Sequence, residues 1–155
     1  MQEPLNLDIP VLWYYVRQVR ESVYNYLQHY SEDFREAACM VASELVANAI
    51  HYGENLAQAL IARCSLSIVD SQLCIEVTNG TTNVAHLKIV HDRINQINGA
   101  EDKEQLYAER LQDLLSGNYR HGQLGLYRVG CEGKFTLSYE YSNNILKVKA
   151  TRRLP

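Results

Sequence analysis

The apolar residues of this chain follow the spacing of helices in some segments and that of strands in others. Over residues 10–30 they recur every three or four positions, which predicts a helix. Residues 31–53 predict a second helix, because Ser31 is a favoured N-cap and Gly53 a common end point. The core stripe of this second helix is expected to be Phe34, Ala38, Val41, Leu45 and Ala49.

Alternation of apolar and polar residues, typical of half-buried strands, follows the second helix. Two such segments, 60–68 and 73–77, lie on either side of Asp70-Ser71 and predict an antiparallel hairpin. The segment 78–82 (TNGTT) contains Asn and Gly and is expected to end the second strand. Another hairpin is predicted around Asn143-Asn144, near the end of the sequence.

A helical region separates the two hairpins. Helices are predicted over residues 84–97 and 103–115, and a short one over 124–129. The apolar stripe of the first is expected to be Val84, Leu87, Val90, Ile94 and Ile97. Helices segregated from antiparallel strands predict an α+β fold, a two-layer sandwich. We expect a single domain spanning residues 1–155, with a helical insert at about 84–120.

Composition and charge exclude several classes of function. Charged residues make up 21% of the chain and the net charge is −3, so no basic stripe is present to neutralise nucleic-acid phosphates. No apolar run approaches the ~20 residues that cross a bilayer, and the first residues lack signal-peptide features. The four cysteines have no zinc-type spacing and are expected to be free thiols. We therefore expect a cytoplasmic protein that binds neither nucleic acid nor membranes.

Two polar residues of the second predicted helix are candidates for chemistry. Glu44 and Asn48 are four positions apart, so they project from one face, beside the core stripe. A carboxylate there can accept the proton of an attacking hydroxyl, and an amide oxygen is a suitable ligand for Mg²⁺. Taken alone, such a pair is more often a solvated hydrogen-bonded pair. We expect both side chains to face a cleft if they serve chemistry.

The sequence around this pair resembles a known family. The segment SELVANAIHYG, residues 43–53, resembles the N-box of GHKL (histidine-kinase-like) ATPases, and especially of bacterial anti-sigma-factor kinases. The helical insert and the HGQLGL segment are similar to those of SiaB-type protein kinases. The resemblance implies the histidine-kinase-like (Bergerat) sandwich. It also implies that Glu44 is the catalytic base and that Asn48 is the ligand of Mg²⁺.

Two later segments are similar to the nucleotide-binding loops of this family. Thr78 and Gly80 fall in the segment that resembles the adenine loop, and Gly122 and Gly125 in the one that resembles the phosphate loop. Thr78 stands where the family has an aspartate that accepts a hydrogen bond from adenine. Thr82 likewise replaces a glycine. A hydroxyl acceptor lacks the charge of a carboxylate, and charge roughly doubles the strength of such a bond.

The resemblance implies an ATP- and Mg²⁺-dependent serine/threonine kinase that acts in signal transduction. Its partner would be a small STAS-domain (anti-anti-sigma-like) protein or a sigma-factor-like regulator, controlled by partner exchange. The departures in the two loops favour an alternative, a protein-binding module that has kept the fold and lost phosphotransfer. The oligomeric state stays open, with a homodimer among the alternatives.

Overall fold

The computed structural model of the protein describes residues 2–9, 15–54, 62–117 and 124–155. The strands are β1 (Leu5–Ile9), β2 (Ala62–Val69), β3 (Gln72–Gly80), β4 (Thr136–Ser142) and β5 (Ile145–Arg153). The helices are α1 (Tyr15–Tyr26), α2 (Glu32–Tyr52), α3 (Val84–Gly99), α4 (Lys103–Leu115) and α5 (Gly125–Tyr127), the last running into a π-helical turn at Arg128–Glu132. The α+β prediction is confirmed.

These strands form an antiparallel sheet of order β1-β2-β3-β5-β4. Both predicted hairpins are present, and their connections, Asp70-Ser71 and Asn143-Asn144, have φ between 50° and 62°. Positive φ at both central residues is typical of the tight turns whose twist matches that of a hairpin. The sequence analysis predicts no strand before α1, but β1 is present and pairs with β2, with Leu5 opposite Leu66.

The helices pack on the face of the sheet that carries the alternating buried apolar residues of β2, β3 and β5. On β3 these residues are Leu73, Ile75 and Val77. Helix α2 supplies the middle of the core with its predicted stripe from Phe34 to Ala49, all of it buried. Ser31 caps this helix, its hydroxyl accepting from the Phe34 amide at 3.4 Å. None of the helices in the described ranges is long and apolar enough to span a membrane.

Two predictions about element bounds are wrong. Strand β3 continues through Thr78 to Gly80, because it pairs with β2 and β5 on its two sides and this pairing outweighs the local preference of Asn and Gly. Helix α1 ends at Tyr26 rather than at residue 30, where the chain turns back to begin α2. Residues 10–14 lie outside the described residues.

The predicted stripe of α3 is also wrong at its first turn. Val84 is 76% exposed, whereas His86 is buried together with Val90, Ile94 and Ile97. Asn83 caps the helix by accepting the His86 amide, so Val84 is the first helical residue and points away from the core. The α3 face that packs inward therefore begins with a histidine.

The four cysteines are free thiols, as predicted, and three of them are buried. Burial raises the pKa of Cys39 to about 11 and that of Cys64 to about 12. Because the thiolate is the reactive form, these two side chains behave as small apolar core residues.

We expect Gly130→Ala to destabilise the protein by about 1–3 kcal/mol, the usual cost of overpacking a core. A Cβ at this buried position of the π-helical turn would overlap Cγ2 of Ile97 on α3. Gly99→Ala is the matched control, since a Cβ there meets nothing within 4 Å. Urea unfolding of both variants measures the difference; equal stabilities would contradict the packing of α3 on this turn.

Candidate functional site

Glu44 and Asn48 lie next to each other on the middle turns of α2, under the start of α5. A Cβ at Gly125 would lie 2.8 Å from Glu44 Oε2 and 3.6–3.7 Å from the two amide atoms of Asn48. Only a residue without a side chain lets the backbone approach these two groups so closely. The structure therefore brings together three of the predicted site residues: Glu44, Asn48 and Gly125.

Glu44 opens on one side into a cleft of about 400 Å³. The cleft runs between α1, the first half of α2 and the π-helical turn, and its walls carry the charged residues Arg20, Glu36, Glu44, Arg128 and Glu132. The Glu44 side chain is 22% exposed. It is thus reachable from the cleft while its backbone stays in the core helix.

Arg128, which the sequence analysis does not single out, binds Glu44. Its Nη1 donates to Glu44 Oε1 at 2.5 Å, and its Nε donates to Glu132 Oε2 at 3.1 Å. Partial burial acts to lower the pKa of Arg128, but the hydrogen bond to Glu132 and the charge of Glu44 outweigh it and raise that pKa. The guanidinium is therefore a permanent cation between two carboxylates.

Asn48 faces a different and much smaller cavity, of about 20 Å³. Its other polar lining residues are Asn79 at the end of β3 and His86 on α3, and the rest of the wall is apolar. This volume holds about one water molecule, whereas pockets for drug-sized ligands measure about 300–1,000 Å³. Both candidate side chains thus line cavities, but two separate ones.

His86 closes this small cavity. The side chain is 5% exposed, and its ring is stacked on that of Tyr52, with centroids 4.0 Å apart and planes 13° apart. Its Nδ1 is buried without a hydrogen-bond partner among the described residues. Burial, followed by the charges of Arg93 and His51, lowers the pKa of His86 to about 4. The ring is therefore neutral at pH 7, and it packs against Tyr52 as part of the cavity wall.

This burial predicts an acid-sensitive fold. Below the ordinary pKa of 6.5 the unfolded chain protonates His86, whereas the folded protein does so only near pH 4. Stability should therefore fall across this window, by on the order of 3 kcal/mol from this residue. His86→Phe removes the titration and keeps a ring. Chemical unfolding from pH 7 to pH 4 should show wild type losing more stability than His86→Phe; parallel curves would contradict the assignment.

Thr78 does not join the other candidates. The buried face of β3 carries Val77 and Asn79, so Thr78 points to the opposite face of the sheet, between Arg63 and Lys147 on the neighbouring strands. Asn79, which is 6% exposed, is the residue of this segment that faces Asn48. The alternation along β3 is a sequence signal that identifies it, since position 79 shares the parity of the buried positions.

Gly80 is the last residue of β3, and the loop that follows it is tied to the segment after α2. The Gly80 carbonyl accepts from the Glu54 amide at 2.7 Å and from the Asn79 side-chain amide at 3.2 Å. The Glu54 carboxylate accepts from the Thr82 amide and hydroxyl, and these bonds, the amide one first, lower its pKa. The loop after β3 is thus held against the end of α2. Gly122 lies outside the described residues.

The oxygens of Glu44 and Asn48 are of the kind that a hard divalent cation prefers. The cavity at Asn48, by contrast, is too small for a purine. Mg²⁺ often binds through one or two protein oxygens, and the Asn48 amide beneath Gly125 can supply one, with the Glu44 carboxylate beside it as a proton acceptor. Within the described ranges no cluster of three or more His, Cys, Asp or Glu residues could hold a metal by protein ligands alone. A nucleotide base enters the cavity at Asn48 only if His86 and the first turns of α3 move aside.

Comparison with known proteins identifies the fold. No protein-family model and no curated protein matches this sequence. Among solved structures, a chain of the SiaB–SiaC complex from Pseudomonas aeruginosa has a TM-score of 0.72 to this protein and 17% sequence identity. The similarity covers 97% of this chain and 92% of that chain. At this identity it shows that the two proteins share a fold.

Proposed function

We propose that this protein is a partner-switching regulator that binds Mg²⁺ and ATP and phosphorylates a serine or threonine of a small partner protein. The shared fold with a chain of the SiaB–SiaC complex supports the regulatory part of the proposal, because that fold occurs there in a protein–protein complex. The geometry around Glu44 supports the chemical part.

The observation that carries the proposal is the close approach of Gly125 to Glu44 and Asn48. It leaves the backbone of α5 beside a carboxylate and an amide, with no side chain between them. Asn48 would hold Mg²⁺, and bound ATP would supply the phosphoryl group. Glu44 would accept the proton of the incoming hydroxyl, which reaches it from the cleft. Catalysis of this kind comes from positioning and charge neutralisation.

Asn79 takes the base-reading role that the sequence analysis gives to Thr78. Its side chain faces the cavity beside Asn48, whereas Thr78 faces away. An amide supplies both an acceptor and donors, so it can pair with an amino-bearing purine but lacks the charge of an aspartate. We therefore expect ATP to bind more weakly than it would to a carboxylate at this position.

The partner would be a small STAS-like protein or a sigma-factor-like regulator in the cytoplasm. Partner exchange predicts that the protein binds the unmodified partner and releases the phosphorylated form. The test is calorimetric titration with the small STAS proteins of the source organism, each also carrying a Ser→Glu or Thr→Glu change at its acceptor position. A complex that the acidic change weakens supports the proposal, and failure of every such protein to bind contradicts it.

Two observations favour the alternative of a binding module without phosphotransfer. Arg128 occupies one oxygen of Glu44, and His86 fills the space beside Asn48. In such a module the Glu44–Arg128 pair would be a structural ion pair. The alternative predicts partner binding that is indifferent to ATP and to substitutions at Glu44 and Asn48.

A further inference from the structure

A chain of polar contacts leads from the helical insert to Glu44. The hydroxyl of Tyr107 on α4 donates to Glu132 Oε2 at 3.3 Å, and Glu132 accepts from Arg128 Nε at 3.1 Å. Arg128 Nη1 then donates to Glu44 on α2. Glu132 and Arg128 are the two ends of the π-helical turn, so this turn presents both side chains toward one wall of the cleft. Three separate elements are thereby connected.

The last contact fixes the orientation of the Glu44 carboxylate. Oε1 accepts from Arg128, and Oε2 is the oxygen next to Gly125. Without a partner on Oε1, a glutamate with three rotatable side-chain bonds would sample several orientations. A hydrogen bond between two charged groups is short and directional, which suits it to this role.

We propose that Arg128 is a positioning residue, which orients the carboxylate of Glu44 and couples it to helix α4 through Glu132 and Tyr107. The role of Glu44 as a base rests on the proposed function, whereas the coupling itself rests only on the contacts described above. A partner that shifts α4, or that enters the cleft and contacts Arg128, would change the orientation of Glu44. Helix α4 would then act on Glu44 through Glu132 and Arg128 rather than by direct contact.

The placement of Arg128 distinguishes this role from simple stabilisation. The Arg128 side chain is 38% exposed and that of Glu44 22%, so solvent partly screens the pair, and fully exposed ion pairs contribute only about 0–1 kcal/mol to stability. The free energy of unfolding therefore responds little to its loss. π-Helical turns inside helical segments are frequent at functional sites, because the extra residue redirects the side chains around it. A group that contributes little to stability and contacts a candidate base is suited to orientation.

The coupling can be measured without any activity. In protein labelled with ¹³C at glutamate side-chain carboxyls, the Glu44 signal is assigned by its disappearance in Glu44→Gln. Tyr107→Phe removes only the hydroxyl group, which is connected to Glu44 through Glu132 and Arg128. We expect Tyr107→Phe to shift the Glu44 signal in the wild-type background. In the Arg128→Gln background the same change should leave the signal where it is. Arg17→Gln, which removes an exposed ion pair on α1, is the control and should not shift it.

Kinetics test the positioning itself. Arg128→Gln should lower kcat for phosphoryl transfer about 10–100-fold with the KM for ATP unchanged, since misplacement of a catalytic group by about 1 Å can cost 100-fold. Arg128→Lys should recover part of the loss, because a lysine can reach Glu44 but cannot bind both carboxylates as a fork. Tyr107→Phe alone should lower kcat about fivefold. Added to Arg128→Gln, it should lower kcat no further.

The outcomes separate the inference from the proposed function. If wild type transfers no phosphate, the kinase proposal fails, and the carboxyl spectra alone decide the coupling. If wild type is active but Tyr107→Phe leaves the Glu44 signal unmoved, the coupling is overturned. If Arg128→Gln raises KM and leaves kcat unchanged, Arg128 binds substrate and the positioning role is overturned.

Discussion

Asn48→Ala is expected to abolish the rise in melting temperature that Mg²⁺ and ATP cause in the wild-type protein. A ligand that binds only the folded state stabilises it by about 2.7 kcal/mol at 100 times its Kd, so the wild-type shift is readily measured. The substitution removes the amide beneath Gly125 that would hold the metal. Because alanine has a higher helix propensity than asparagine, the substitution should leave α2 and the fold intact.

The matched control is Asn25→Ala, an exposed asparagine on α1. It should keep the full shift with Mg²⁺ and ATP. Each variant is compared with its own melting temperature in the absence of ligand. A wild-type shift that survives in Asn48→Ala would mean that nucleotide binds elsewhere, and would remove the basis for a metal site at Asn48.

Glu44→Gln should reduce phosphoryl transfer by at least about 100-fold while leaving the affinity for ATP nearly unchanged. General-base catalysis contributes about 10²–10⁴-fold to such reactions, and an amide cannot accept the proton. Glutamine has the shape of glutamate, and its carbonyl oxygen can still accept from Arg128, so the loss would report proton acceptance rather than packing. Single-turnover transfer from labelled ATP to the partner measures the effect.

Glu21→Gln is the control for this substitution, since Glu21 is an exposed carboxylate on α1 that pairs with Arg17. It should transfer phosphate at the wild-type rate. If Glu44→Gln is as active as wild type, Glu44 is not the base. The alternative of a structural Glu44–Arg128 pair would then be favoured.

The helix that carries the candidate site could be predicted closely from the sequence, because its signals are local. Ser31 caps the helix, the buried stripe has helical spacing, and Glu44 and Asn48 are four residues apart. Each of these depends on residues within a few turns of one another. The two tight hairpins were predictable for the same reason, since their turn residues lie beside the strands they connect.

At Thr78 and Asn79 the loop resemblance and the strand alternation favour different residues for the proposed base-reading position. Aligning Gly80 with the glycine of the family placed Thr78 at the base-reading position. The alternation of Ile75 and Val77 as buried residues places Asn79 on the inner face instead, and the structure agrees with the alternation. Side-chain direction in a strand has a period of two, so an offset of one residue reverses the face.

Other features depend on contacts that are distant in the sequence. Arg128 meets Glu44 across 84 positions, and no local pattern around either residue indicates this pair. Strand β1 does alternate, with Leu5, Leu7 and Ile9, but it is short and pairs with a strand nearly 60 residues away. His86 is likewise buried by tertiary packing, and histidine is a residue type that occurs both buried and exposed, so its identity alone does not predict its burial.

The most direct test of the account is the intact mass of the partner protein after incubation with wild-type protein, ATP and Mg²⁺. We predict that a small STAS-like partner gains the mass of one phosphoryl group on a serine or threonine, and that Glu44→Gln produces at most about a hundredth of this gain in the same time. A partner that forms a complex with wild type but remains unmodified at millimolar ATP would contradict the kinase account and leave the binding module in its place.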